Sequence, residues 1–298
     1  MRVKRTMKTV NKERKRRKQR RRSYTRRYKY KGGSNAGSNV KVFNFYNRFH
    51  LGDNILNLKF FFNISGVLKD NSITINYYYD NTYPSNKKEE LERFVNNETM
   101  KLHPLKDKAE GAIDLWMGLP IDGVNATVLD TYYNKFYENI LKVMGLDGKN
   151  INTSLYQPEP YLQEIYNNLD NKYKDLDILV INAAPQSKQY SFNQEAMNNM
   201  CIALHEKYNI VTTSPVNDVI KCTMNDKLML KDIGAISTHV KYIVGVHSGP
   251  VTACFNSDTN NNIKKWILFA NNGTKHVDSK FIILDDNYDL KKIEEHLK

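Results

Sequence analysis

The sequence predicts an α/β fold of two successive halves, each a parallel sheet with crossover helices, behind a disordered basic arm. Three observations lead there. The β-branched and aromatic runs at 40–46 and 240–246 each break into a glycine-containing turn and then a helical stretch. Apolar runs of strand length alternate with segments of helical period along the rest of the chain, which is the pattern of βαβ units. A Gly/Ser/Asn stretch at 32–39 cuts a densely charged start away from everything after it.

That start holds most of the charge. Residues 1–31 carry 17 Lys and Arg against one acid, Glu13, a net +16, while the remaining chain sets 28 against 31, a net −3. Like charges at this density repel and have no apolar face to bury, so the arm is expected to be disordered. It is expected to contact a polyanion, whether nucleic acid, an anionic surface or an import receptor, without reading sequence. The other reading is a solubilising tail. The three cysteines, Cys201, Cys222 and Cys254, have neither disulfide-framework nor metal spacing. The most apolar run, 55–68, is interrupted by Asn57, Lys59 and Asn63 and is too short to span a bilayer. With no apolar stretch following the basic start, a soluble intracellular protein is expected. The division expected is 1–39 for arm and linker, 40–165 for the first half and 166–298 for the second.

Taken in order, 40–46 is a strand ending in the polar turn 47–53, and 54–67 has helical period through Ile55, Leu58, Phe61 and Phe62. A strand at 72–79 completes a βαβ unit. A charged helix at 87–96, a short strand at 99–105, a short strand entering a loop at 112–118 and an amphipathic helix at 130–144 follow. In the second half, a helix at 161–169 leads to a buried-type strand at 176–182. Then come a loop at 183–190, a helix at 192–208 capped by Ser191 and a strand at 210–213. Asn225 or Asp226 is placed to cap a helix at 227–237. After the strand at 240–246, short strands at 266–270 and 281–284 and a helix at 290–297 close the chain. Gly249 is expected to take positive φ in the turn, with Pro250 at the first helical position.

Two such halves, each opening with a glycine turn at a strand end, make two Rossmann-like domains. His50-Leu51-Gly52-Asp53 before an apolar helix resembles the N-terminal turn of the bacterial heptosyltransferase family. Ser248-Gly249-Pro250 after a hydrophobic strand resembles that family's donor-site turn, and Ile181-Asn182-Ala183-Ala184-Pro185 the opening of its donor domain. The chain departs from the family at His247, where an acid usually stands. The resemblance implies a GT-B fold, two Rossmann-like domains facing across a cleft, and an inverting glycosyltransferase using a nucleotide-diphosphate sugar and an acceptor hydroxyl. The basic arm and the Asn/Lys/Ile/Tyr-rich composition resemble proteins of large DNA viruses.

Such a transfer needs a base for the acceptor proton and stabilisation of the leaving diphosphate. Asp53 is expected to be the base, its alternative being an N-cap of the following helix. His50 is a second candidate. For the diphosphate, the turn His247, Ser248, Gly249, Pro250 and Val251 offers backbone N–H groups at a helix start. Ser187 and Lys188, in the loop after 176–182, lie at the strand end where ligands bind in parallel sheets. Asp175 and Asp177 precede that strand, at the opposite end, and are expected to be solvated. No metal and no bound cofactor is expected. The rival reading is a virion or nucleic-acid-associated structural protein with an inactive α/β body.

Overall fold

The computed structural model describes residues 40–83, 86–115, 119, 129–185, 192–269, 280–284 and 288–297. The basic arm, its linker, Ser187, Lys188 and Ser191 lie outside the described residues.

The first half runs β1 (Lys41–Asn47), α1 (Leu51–Asn63), α2 (Ser65–Asp70), β2 (Ile73–Tyr79), α3 (Lys88–Glu92), β3 (Met100–Pro104), β4 (Ile113–Asp114) and α4 (Leu129–Met144). Its sheet has the order β3-β2-β1-β4 with all pairs parallel. The second half follows α5 (Tyr161–Asn168), so position 165 falls inside that helix. It runs β5 (Ile178–Ile181), α6 (Gln194–His205), β6 (Ile210–Thr212), β7 (Lys221–Cys222), α7 (Leu230–Ser237), β8 (Tyr242–Val246), α8 (Gly249–Ala253), α9 (Ser257–Asn262), β9 (Lys265–Phe269), β10 (Phe281–Leu284) and α10 (Leu290–Glu295). This sheet is also parallel throughout, in the order β10-β9-β8-β5-β6-β7.

Both sheets reverse their winding once. The chain leaves β1 toward β2 and β3 and returns to the other side at β4. It leaves β5 toward β6 and β7 and returns at β8. The crevices outside the carboxyl ends of β1/β4 and β5/β8 are therefore the topological switch points, where parallel sheets place ligands.

Alternation along β5 splits the core. Leu179 and Ile181 join a continuous apolar body with Phe45, Ile55, Leu58, Phe61 and Ile75 of the first half and Ile243, Val251 and Trp266 of the second. Ile178 and Val180 face the other side, against Met197, Cys201, Leu204 and Val244. One core thus passes between the two sheets.

Several boundaries differ from expectation. The helix expected from residue 54 begins at Leu51 and breaks at Ile64 into α1 and α2. The cap of α6 is Asn193, whose side chain accepts from Ala196 N–H at 3.0 Å. Helix α7 starts at Leu230, three residues late, and Asp232 in its first turn accepts the Met229 N–H at 2.7 Å. Asp226 instead pairs with Lys172 and accepts from the Tyr173 hydroxyl. Strand β7 and helix α9 were not anticipated. Gly249 does not take positive φ; among the described residues the glycines that do are Gly111, Gly145 and Gly245. At Gly245 a Cβ would lie 2.1 Å from the Ile181 carbonyl oxygen, so β8 can lie beside β5 only with glycine there.

Candidate functional site

The first switch point is built by asparagines. Asn47, the last residue of β1, accepts the Phe49 N–H on Oδ1 at 2.8 Å. Asn54, fully buried in α1, donates from Nδ2 to the Phe49 and His50 carbonyls at 3.1 and 3.0 Å, and its Oδ1 accepts from the Tyr77 hydroxyl at 2.9 Å. Asn86 donates to the carbonyls of Phe49 and Asp80 at 2.9 and 2.8 Å. These bonds satisfy carbonyls that a tight strand-to-helix turn would leave bare, and they fix the entry angle of α1. Asn54 and Asn86 carry this turn, and nothing in local spacing singles them out from the chain's many other asparagines.

His50 is the N-cap residue by backbone geometry, but its side chain makes no capping bond. The ring stands edge-on to Tyr83 at 4.5 Å, and Nδ1 is buried without a hydrogen-bond partner among the described residues. Asp53 is therefore the third residue of α1 and not its cap. Its carboxylate accepts from the backbone N–H groups of His50 and of Asp53 itself, the return half of a capping box. Burial raises its pKa above the ordinary carboxylate value, against the lowering pull of His50 and those two hydrogen bonds. Tyr77, Tyr132 and Tyr133 lie within electrostatic reach of it, their phenols pushed up mainly by burial. Arg48, half-exposed in the same turn, approaches Asp114 at the end of β4 to 3.4 Å.

At the second switch point, His247 donates its N–H to the Phe269 carbonyl at 3.2 Å, continuing the β8–β9 ladder. Ser248 is the extended N-cap of α8. Its Oγ makes no capping bond and is buried without a partner among the described residues. Gly249 is the first helical residue and Pro250 the second. The N–H of Val251 is already donated to the Ser248 carbonyl at 3.0 Å, and Pro250 has none, so among the described residues Ser248 and Gly249 are the amides of this turn left to meet a ligand.

The two turns meet. A Cβ on Gly52 would lie 3.1 Å from Thr252 Cγ2 and 3.2 Å from Gly249 Cα, and one on Gly249 would lie 3.5 Å from Gly52 N. The close approach of the two helix starts thus requires glycine at position 52, while a Cβ on Gly249 would make only an ordinary contact. Seven residues beyond Gly52 along α1, Lys59 Nζ reaches the far end of α8. It donates to the Phe255 carbonyl at 2.8 Å and to those of Thr252 and Ala253 at 3.4 Å, and pairs with Glu159 at 2.6 Å. A second tie joins α3 to α7: Arg93 grips Asp232 through both terminal nitrogens at 2.8 and 3.0 Å, and Glu90 accepts the Leu230 N–H at 3.1 Å. Lys231, on the same helix, is enclosed by the rings of Tyr161, Phe62 and Phe94 at 4.0, 4.6 and 5.3 Å, and burial lowers its pKa to about 8.

Asp175 and Asp177 sit at the amino end of β5, away from both switch points. Asp177 pairs with Lys241 at 2.7 Å and accepts the Asn209 N–H at 3.1 Å. Among the described residues no cluster of three or more His, Cys, Asp or Glu side chains is arranged to hold a metal ion. None of their helices is long and apolar enough to cross a membrane.

Two parallel sheets whose switch points face each other, joined through one core, constitute the GT-B fold in its heptosyltransferase-like form. Among solved structures, the chain is similar to the E. coli heptosyltransferase WaaC with ADP-2-deoxy-2-fluoro heptose, with a TM-score of 0.53 at 9% identity over 85% of this chain and 99% of that one. WaaC with ADP aligns with a TM-score of 0.51 at 9% identity, over 85% and 97%. No protein-family model matches the chain, and no curated protein does.

Proposed function

We propose that this protein is a glycosyltransferase that moves a sugar from a nucleotide-diphosphate sugar to an acceptor hydroxyl, without a metal and with inversion at the anomeric carbon. The observation that carries this reading is the contact of Gly52 with Gly249, which sets Asp53 on one switch point against the Ser248–Gly249 turn on the other. The donor class is supported by the WaaC structures, which hold ADP and an ADP-sugar analogue on a similar fold.

In a single displacement the acceptor oxygen attacks the anomeric carbon as its bond to the diphosphate breaks. Asp53 takes the acceptor proton; a carboxylate whose pKa is raised by burial is a stronger base than an exposed one. The departing diphosphate gains charge, and the Ser248 hydroxyl with the Ser248 and Gly249 amides would meet it. His50, with its unpartnered Nδ1, would hold acceptor or donor by a hydrogen bond, or serve as a second base. His247, Pro250 and Val251 shape the turn. Ser187 and Lys188, which lie outside the described residues, are proposed as further phosphate contacts, Lys188 as a point charge.

Calorimetric titration with a panel of nucleoside diphosphates and nucleotide sugars tests this. Native protein should bind one of them equally well in EDTA. Ser248→Ala should weaken that binding by about 0.5–1.5 kcal/mol, or more against a charged oxygen. Absence of binding across the panel would leave the rival reading, a nucleic-acid-associated structural protein working through its +16 arm.

A further inference from the structure

We propose that Lys59 and Glu159 are a positioning pair that holds the Ser248–Gly249 turn in register with Asp53, so that the two switch points are set against each other before any substrate arrives. What is positioned for catalysis rests on the glycosyltransferase reading above; the register itself does not.

Helix α8 is only five residues long and is gripped at both ends by α1. At its start Gly249 lies against Gly52; at its end Lys59 Nζ is shared among the carbonyls of Thr252, Ala253 and Phe255. A helix this short has no length over which to bend, so a shift at its carboxyl end is passed directly to Ser248. The cation also sits at the negative end of the helix dipole.

The chemistry of the clamp matters as much as its place. Lys59 and Glu159 are 5% and 1% exposed, so both charges are held out of water. A buried ion pair of this kind adds little to stability compared with apolar side chains of the same volume. It does impose direction: a carboxylate and three carbonyls define one position for the ammonium, whereas an apolar seam can slide. Glu159 belongs to the segment joining the halves and also accepts from the Tyr161 hydroxyl at the start of α5. One cation therefore ties together the base-bearing helix, the donor-turn helix and the connecting segment.

The test uses the full chain with spin labels on two exposed helical positions, Lys142→Cys on α4 and Glu195→Cys on α6. The native cysteines are all buried and so shielded from the label, and burial also pushes the thiols of Cys201 and Cys254 up to about 12, which keeps those two protonated. Pulsed dipolar spectroscopy should give one narrow label-to-label distance without ligand. The double variant Lys59→Met/Glu159→Gln removes both charges, so neither is left buried alone. It should keep native circular dichroism, broaden or shift that distance, and lower kcat about 10- to 100-fold with donor Kd within about twofold. Lys59→Arg beside native Glu159, which keeps the ion pair, should retain both native readings. Should the double variant not fold, Lys59→Gln/Glu159→Gln, which also leaves neither charge buried alone and keeps an amide donor for the carbonyls, should broaden the distance less, in the same direction. A folded variant with the native distance distribution overturns the proposal whatever its turnover, and an unchanged kcat beside an altered distance overturns the catalytic positioning. If the native protein turns over no nucleotide sugar, the glycosyltransferase reading falls and the distance alone decides the register.

Discussion

Asp53 carries two costs that point in opposite directions. Its backbone hydrogen bonds favour the carboxylate, but burial disfavours it more, and the net pKa is raised. The folded protein therefore binds the proton more readily than the unfolded chain does. The charged form destabilises the fold at neutral pH, and stability from this group rises as pH falls through its folded pKa. Asp53→Asn, which keeps an oxygen for the His50 N–H, should leave the melting temperature equal or higher at pH 7 while lowering turnover about 10²-fold or more. The acid limb of the native kcat/KM profile should lie above the ordinary Asp value of about 3.9. Full activity in the variant, or a clear fall in melting temperature without loss of turnover, would make Asp53 a first-turn structural residue only.

At the scale of elements, α1 and α8 define what the glycines are for. Because Gly249 is helical with ordinary φ, its substitution is limited by space, and a Cβ there meets Gly52 N at 3.5 Å, an ordinary contact. On the opposite face, a Cβ at Gly52 meets Thr252 Cγ2 at 3.1 Å and backbone at 3.2 Å, and the backbone cannot swing away as a side chain would. Gly52→Ala should therefore destabilise by about 1–3 kcal/mol, the usual range for overpacking, and Gly249→Ala by clearly less. Urea denaturation of both variants checks the order, and the reverse order would mean that the two helix starts are further apart than described. A bulkier Gly249→Val should still weaken nucleotide binding, because its methyl groups crowd the space beside the Ser248 and Gly249 amides.

For the whole molecule, the charge division yields a prediction about polyanions. Residues 1–31 hold +16 and the rest −3. Removing the arm should abolish salt-sensitive retention on heparin and salt-sensitive binding to DNA or RNA, while nucleotide binding by the body stays the same. Retention of the truncated protein at the same salt concentration would reveal a basic groove in the body.

Local pattern alone determined the alternation of strands and helices and the two glycine-containing turns at strand ends. These are legible because burial imposes a period on each segment: two residues in a strand, 3.6 in a helix, with glycine and proline at the breaks. Tertiary structure alone decided what those segments do to one another. In the sequence Lys59 is an interruption of an apolar run; in the fold it is buried on the carbonyl of Phe255, 196 residues away. Asn54 is one polar residue at the head of a helix until its amide is found closing the His50 turn. Gly249 suggests a positive φ, but in the fold its φ is ordinary and it is Gly52 whose missing Cβ lets the two helix starts approach. Spacing records how often a residue faces the core, but not which partner waits there, because that partner is brought in by chain folded far away in sequence.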